Sequence, residues 1–508
     1  MISAQHTETD NGQNVRSNQS DAAAFVSRAH QLSLERRFSE AEVNCRTAIA
    51  LDANSPMAYN NLGWSRQMQG DTSDALLHYQ RALQIDPGLK IARRNLARLL
   101  VKLGRRDESL ALFQAELESQ EGLTWINALV VNAMREHDLT LAGEYANILA
   151  ETRFASPWYT KVSPRPALPP DQLPKFQLTI PKLLHDIEQF EYLRQHGILS
   201  RELTPIIADY HRVVDRLTPL GAGVRIPLSG ENRELIGHVY NRILHVRDTP
   251  RVQRALSDRW DRATVETQYL EQAPGIVVID DFLTSEALEN LRLFCLESTV
   301  WSGNRYAHGR LGAFLRDGFN CPLLLQIAEE IRDAFPRVIG DQHPLRQLWG
   351  FKNGHTLPAD STTHADFAAV NVNFWITPSE ANLEESSGGL IVYDIDAPLE
   401  WDFETYNNRK DIIKPFLKTR HAKSVNIPYR QNRAIIFNSD LFHATAALRF
   451  RPGYENRRIN VTMLYGDREN DSHHRELSRQ SSQPDFVHPS AAWRSASFLK
   501  TRSPQTAG

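Results

Sequence analysis

Between residues 22 and 155 large and small apolar residues recur with a period of 34, and the pattern predicts pairs of short helices. The clearest copy runs from Pro56 to Gly88 and carries Tyr59, Leu62, Gly63, Gly70, Ala75, Tyr79, Ala82 and Pro87. It predicts one helix near Ala58 to Gln69 and a second from Thr72 to Ile85, stopped by Asp86-Pro87-Gly88. Shifting by 34 recovers Phe25, Ala29, Ala41, Cys45 and Ala48 on one side, and Leu96, Ala97, Gly104, Ser109 and Phe113 on the other. A fourth, degenerate pair is expected around Trp125 to Ala150, as a capping unit. An ordinary helical bundle is the alternative, but bundles show amphipathic helices without a register of this length.

The pattern then changes twice. Six prolines between Ser156 and Lys175 disfavour helix and predict an extended linker, set at 156–180. Helical periodicity returns over 181–268, in Leu183 to Phe190, Leu203 to Val214 and Glu234 to Val246. His185 and Gln189 lie one turn apart there and are expected on the solvent face. From 269 to 470 short β-type runs alternate with turn residues, as in Gly275 to Phe282, Ala368 to Ile376, Gly389 to Tyr393, Arg433 to Phe437 and Arg458 to Tyr465. Such spacing predicts a sandwich or barrel carrying flanking helices such as Ser285 to Ser298. Residues 1–21 and 471–508 are polar and are expected as unstructured tails.

Composition narrows the function less than the pattern does. A chain of 508 residues exceeds one compact core, so a multidomain α + β protein is expected. A formal net charge of -3 supplies no overall basic field, so neither nucleic acid nor a membrane surface is an expected partner. Cys45, Cys295 and Cys321 are too few and too far apart for a disulfide framework or a zinc site, which fits a reducing cytoplasmic setting. The first residues lack a basic-then-apolar leader, and no apolar run reaches the roughly 18 residues that span a bilayer.

Three His-x-acid triplets are candidates for part of a metal site: His6 to Glu8, His364 to Asp366 and His474 to Glu476. With 18 histidines about three are expected by chance, so context must separate them. Only the middle one runs into a β-type segment, and only it is followed by His443 at the end of a second strand pattern. Beyond that, Arg458, Asn460 and Thr462 alternate with Ile459, Val461 and Met463, which predicts a strand with one polar face. Arg457 is expected to point outward. Asn371 and Asn373 alternate likewise on the strand after Asp366.

Two resemblances follow from these residues. The 34-residue copies resemble tetratricopeptide repeats, which implies an N-terminal α-solenoid over 22–155 presenting a groove to a protein or peptide partner. His364-Ala365-Asp366, His443 and Arg458, with Ser387-Gly388-Gly389-Leu390 between, resemble the double-stranded β-helix (jelly-roll, cupin-like) of the Fe(II)/2-oxoglutarate dioxygenases. That resemblance implies that His364, Asp366 and His443 hold Fe(II) and that Arg458 takes the distal carboxylate of 2-oxoglutarate, with O2 as the other co-substrate. Asn460 stands where the family often has serine; Thr462, Asn371 and Asn373 join it as candidate co-substrate contacts. Halogenases of this family lack the carboxylate, so retention of Asp366 implies hydroxylation of a C–H bond. The segments Trp301 to Asn320 and Trp401 to His421 are candidate lids. The competing readings are a non-catalytic scaffold or cupin-like binding protein, and an oxygenase acting on a small molecule.

Overall fold

A computed structural model describes residues 6–117, 119–154, 177–199, 203–304, 309–357 and 363–468. The chain divides into two compact units, 1–122 and 123–508.

In the first unit, α1 (His6–Leu34) and α2 (Phe38–Leu51), α3 (Pro56–Met68) and α4 (Thr72–Ile85), and α5 (Lys90–Lys102) and α6 (Arg106–Leu117) form three helix pairs. The small residues of the 34-residue pattern sit where helices cross. Ala29, Ala41, Cys45, Ala48, Ala75 and Ala82 are fully buried, and Gly63 lies so close to the Tyr79 ring that an added Cβ would stand 2.8 Å from it. The period is also written in the backbone, because Arg36, Gly70 and Gly104, each 34 apart, all have positive φ at the turn inside a pair. Two of the three are glycine, for which that conformation is free of strain. Helix α1 begins at His6, inside the stretch expected as an unstructured tail. Its first half carries no apolar period, so sequence pattern marks the helix only from Ala22 onward.

The boundary of the second unit falls inside α7 (Gln120–Arg135), which pairs in sequence with α8 (Leu139–Phe154). The expected segment 22–155 is thus divided between the two units. Of the expected linker, residues 156–176 lie outside the described residues, and so do the tail 471–508, the triplet His474 to Glu476, and residues 305–308 of the candidate lid Trp301 to Asn320.

After a short β1 (Gln177–Leu178), helices α9 (Ile180–Gln195) and α10 (Leu203–Leu217) pack around Leu183, Ile187, Phe190, Tyr210 and Val213. The strand β2 (Ile226–Pro227), which pairs with β1, and the helix α11 (Gly230–Ile236) complete this layer, while α12 (Arg262–Glu271) holds Arg337 through Glu266. His185 and Gln189 are not on a solvent face: they are 0% and 2% exposed. The reason is that α9 is covered on both sides. Gln189 Nε2 donates to the carbonyls of Leu296 and Ser298, and the His185 ring lies 5.7 Å from that of Tyr454. Burial holds His185 well below its ordinary pKa, and the charges of Lys352, Arg457 and Lys182 act in the same direction.

The remaining strands form the barrel. They are β3 (Ile276–Ile279), β4 (Leu311–Phe314), β5 (Leu345–Lys352), β6 (Thr356–Leu357), β7 (Val370–Trp375), β8 (Leu390–Asp396), β9 (Ser424–Ile427), β10 (Ala434–Asn438), β11 (Leu441–Thr445), β12 (Leu448–Arg449) and β13 (Ile459–Tyr465). A six-stranded sheet runs β3-β10-β7-β13-β5-β4, and a smaller one runs β11-β8-β9, with β12 and β6 paired beside it. Every pairing between these strands is antiparallel. Trp375, Ile435 and Phe437 of the large sheet meet Leu390, Val392 and Ile427 of the small one, and this apolar layer packs the two sheets together. Helices α13 (Ser285–Glu297) and α14 (Pro322–Ala334) cover the outer face of the large sheet, where the Tyr465 hydroxyl donates to the Ala328 carbonyl. The architecture is therefore the expected one: an α-solenoid, a helical middle layer and a C-terminal jelly-roll barrel with flanking helices.

The segment from Trp401 to His421, a candidate lid, is not irregular but holds two helices, α15 (Phe403–Asn408) and α16 (Lys410–Thr419). Tyr406, Ile413 and Leu417 bury their side chains against Ala365 and Phe442.

Replacing Arg36 by glycine relieves a left-handed conformation that costs an L-residue roughly 1–2 kcal/mol, and entropy returns part of that gain. Arg36→Gly is expected to stabilise the first helix pair by up to about 1 kcal/mol, read as slower amide exchange in α1 and α2. Faster exchange there would contradict the strain.

Candidate metal centre and anion pocket

His364 and His443 come from places 79 residues apart, yet each donates its backbone N–H to the other's carbonyl, at 3.0 and 2.8 Å. A reciprocal antiparallel pair of this kind directs both side chains to one face. Asp366, two residues on, points to the same face, since strand side chains repeat every second residue. The ring centroids of the two histidines are 4.5 Å apart, His364 Nε2 is 3.7 Å from Asp366 Oδ1, and His443 Nε2 is 3.4 Å from Asp366 Oδ2. The three donor atoms lie within 4.8 Å of one another, the one group of three such residues found among the described residues.

Local contacts fix these donors. The carbonyl of Leu441 lies 3.0 Å from His443 Nδ1, so a proton on Nδ1 is held there and the Nε2 lone pair is left for the centre. A register shift in the β8–β11 pairing falls between Leu441 and His443, the kind of irregularity that re-aims a side chain. Asn371 Nδ2 donates to Asp366 Oδ2 at 2.9 Å, and the Asp366 backbone N–H donates to Ser439. Burial raises the Asp366 pKa, but the hydrogen bond from His443 and the charges of His364, His443 and Arg310 outweigh it, leaving the carboxyl below its usual value. Between the two ligand positions, Ala365 is gripped from α15: its N–H donates to the Tyr406 carbonyl, and its carbonyl accepts from Asn407 Nδ2 at 3.0 Å.

Next to this centre the lumen holds a second polar set. Arg458 is 1% exposed. Its Nε donates to the Gly388 carbonyl at 2.6 Å, one Nη donates to Asn460 Oδ1 at 2.8 Å, and the other reaches the Gly389 carbonyl at 3.5 Å. Trp375 and Tyr429 flank it, with ring centroids 5.5 and 5.8 Å from Cζ. Among the described residues no carboxylate pairs with it, and burial lowers its pKa to about 9, which still leaves a cation at neutral pH. The two glycines are required here. Gly388 has φ of +75°, and a Cβ on Gly389 would fall 1.9 Å from the Ile427 carbonyl oxygen.

Asn460, Thr462 and Asn373 continue the polar face expected from the alternation. Asn373 Nδ2 donates to Thr462 Oγ1 at 2.9 Å, and Thr462 and Asn373 are direct partners across β13 and β7. Asn371 Oδ1 and Asn373 Oδ1 are buried with no hydrogen-bond partner among the described residues. Gly389 lies three residues before Val392, the strand partner of His443, so Arg458 and the three donors are offset by roughly 10 Å along β8. Arg457 does point away from the lumen, as alternation requires, but it is buried rather than solvated: α9 covers it, and Glu188 takes two of its hydrogen bonds at 2.7 and 3.1 Å.

Sequence reading missed three contributors. Arg310 is 8% exposed, has its Cζ 4.0 Å from the Phe351 centroid, and its charge bears on both Asp366 and Arg458. Tyr406 and Asn407 sit in a segment whose contact with Ala365 spans some 40 residues and leaves no periodic trace.

Known proteins resemble parts of the chain. Residues 67–120 match the family model for the tetratricopeptide repeat. Over 75 residues, 15% of its length, the chain is 32% identical to the mouse protein O-mannosyl-transferase TMTC1, of which it spans 8%. Among solved structures, a Pseudomonas putida prolyl-4-hydroxylase is 12% identical with a TM-score of 0.27, over 41% of this chain and 100% of that one. The non-heme alpha ketoglutarate dependent epimerase SnoN from nogalamycin biosynthesis is 15% identical with a TM-score of 0.30, over 41% of this chain and 82% of that one. YrrB, a repeat protein with an unusual peptide-binding site, is 21% identical with a TM-score of 0.22, over 28% of this chain and 73% of its own. These identities and scores are low.

A buried cation without a counter-charge destabilises the fold that holds it. Arg458→Met is therefore expected to unfold at the same or a higher denaturant concentration than the wild type in the absence of small anions. A clearly lower midpoint would show that the guanidinium is there for stability.

Proposed function

We propose that the second unit is an Fe(II)- and 2-oxoglutarate-dependent oxygenase that hydroxylates a C–H bond, with His364, Asp366 and His443 as the metal ligands and Arg458 as the anchor of the co-substrate. The observation that carries this reading is the pairing of two features in one lumen: a two-histidine, one-carboxylate set on a single face, and a fully buried guanidinium with no carboxylate of its own among the described residues. Donors at neighbouring positions around an octahedral cation stand roughly 3 Å apart, and here each imidazole Nε2 stands 3.4 or 3.7 Å from an Asp366 oxygen, somewhat wider than that. A dicarboxylate suits the remainder. One end has the metal to bind, and the other meets a guanidinium able to accept it through paired hydrogen bonds.

With Fe(II) and 2-oxoglutarate bound, the centre supplies oxidative decarboxylation of the co-substrate by O2, coupled to hydroxylation of a carbon. The chain's own part is to hold and to exclude. The Leu441 carbonyl holds the His443 proton on Nδ1, Asn371 orients the Asp366 carboxylate, and Asn460 orients the Arg458 guanidinium. The unpartnered Oδ1 atoms of Asn371 and Asn373 are acceptors facing the same space, and Thr462 fixes the second of them. The buried apolar layer around Trp375, Ile435 and Phe437 keeps water from the space beside Arg458 and His443.

The repeat unit supports a polypeptide substrate or adaptor, because stacked helix pairs present a long groove suited to an extended chain. A small-molecule substrate, with the repeats used for assembly, is the second reading.

Purified full-length protein with added Fe(II) and 2-oxoglutarate is expected to release succinate in air and none under argon, and His443→Ala is expected to lower the rate at least a hundredfold. Succinate release untouched by that substitution would end the assignment. Removing the group that orients Asp366 should weaken metal binding about 10- to 100-fold, so Asn371→Ala is expected to need that much more Fe(II) for half-occupancy. An unchanged midpoint in a metal titration would mean that the carboxylate needs no such support.

A further inference from the structure

The lumen-facing side of the large sheet continues past the polar strip. Direct antiparallel partners put their side chains on one face. Asn373, Thr462, Trp349 and Phe314 therefore form one row across β7, β13, β5 and β4, and Trp375, Asn460, Phe351 and Gly312 form the next. Neighbouring strands are about 4.8 Å apart, so Trp349 and Phe351 stand one strand from Thr462 and Asn460, and two from the strand whose Asn371 holds Asp366.

The rings of β4 and β5 make a cluster of their own. Phe351 meets Phe314 at 6.4 Å and Trp349 at 6.2 Å, both edge to face. Two glycines leave room for it: a Cβ on Gly303 would stand 2.8 Å from the Phe314 ring, and one on Gly312 would stand 3.0 Å from it. Trp375 and Phe437 are fully buried, but Phe314, Trp349 and Phe351 each keep part of their surface open.

We propose that this aromatic wall receives an uncharged aliphatic side chain of the substrate and sets it beside the candidate centre; the inference rests on the oxygenase reading and gives it a substrate class. The wall is tied to the centre by Arg310, whose Cζ lies 4.0 Å from the Phe351 centroid and whose charge bears on both Asp366 and Arg458. Phe314 and Phe351 offer no hydrogen bond, so an amide or hydroxyl laid on them loses its water without replacement. A carboxylate would face the negative side of the rings. Aromatic faces ordinarily attract cations, but here a guanidinium already lies over Phe351, and a second positive charge would be repelled. An aliphatic chain meets none of these penalties.

The test uses full-length protein under argon without added metal, so that no turnover enters. Its probes are four pentapeptides, acetyl-Gly-Gly-Xaa-Gly-Gly-amide, with leucine, asparagine, aspartate or lysine at the centre. Saturation-transfer NMR is expected to show binding of the leucine peptide, strongest at its methyl protons, and binding at least about fivefold weaker for the other three. Phe351→Ala is expected to weaken the leucine peptide about tenfold, and Trp349→Gln, which truncates less of β5, severalfold. Leu220→Ala, at a side chain 60% exposed beyond α10, is expected to leave binding within twofold, which separates the wall from general apolar adhesion. Circular dichroism checks that each variant is folded. No binding by the wild type, equal binding of the four peptides, or unchanged binding by a folded Phe351 or Trp349 variant would overturn the proposal. Succinate release in air with Fe(II) and 2-oxoglutarate reads the oxygenase assignment separately. Leucine-selective binding without succinate would end that assignment and leave the wall, and succinate without leucine-selective binding would do the reverse.

Discussion

The two backbone hydrogen bonds that tie His364 to His443 are the contact on which the proposed chemistry of the second unit depends. His443 lies within β11, whereas His364 and Asp366 precede β7, and no side chain could bring the imidazoles together if the main chains did not meet first. Once they meet, the antiparallel geometry sets the direction of both rings, and the two-residue repeat of extended backbone delivers Asp366 to the same face. Three donors then converge with no added covalent constraint.

The lumen beyond them departs from what a stable interior would choose. Arg458, Asn460, Thr462, Asn371 and Asn373 are all buried, and two of their acceptor atoms lack a partner among the described residues. Desolvating an isolated cation costs several kcal/mol, and such a cost persists only where something else selects for it. Around this polar strip the large apolar side chains are packed tightly, with Trp375, Phe437 and Ile435 each fully buried. The barrel thus concentrates its strain in one place and builds the rest conventionally, as proteins do at sites that work on a ligand.

Local pattern made much of this legible. The 34-residue spacing located three helix pairs because the small residues that repeat are the ones the crossing helices demand, and Gly63 against Tyr79 is the clearest case. Alternation placed Arg458, Asn460 and Thr462 on one face because a strand has no other option. What failed was everything set by distant packing. His185 and Gln189 look like surface residues on an amphipathic helix, but α9 is covered on two sides, and its polar residues bond to the backbone of Leu296 and Ser298. Arg457 was given the right direction and the wrong surroundings, since alternation says nothing of a helix 269 residues away. The segment after Trp401 read as an irregular loop because its helices are short and most of their residues are polar or charged.

The insert between β8 and β9 returns to the sheet where it leaves it, for Tyr393 pairs with Ser424. A segment with such closely spaced ends is ordinarily interchangeable, free to lengthen, shorten or be traded during descent without disturbing its host. Here the grip of Tyr406 and Asn407 on Ala365 removes that freedom: any replacement must also rebuild the seat of the residue between two donors. The form of the insert and the set of the candidate centre are consequently obliged to evolve together.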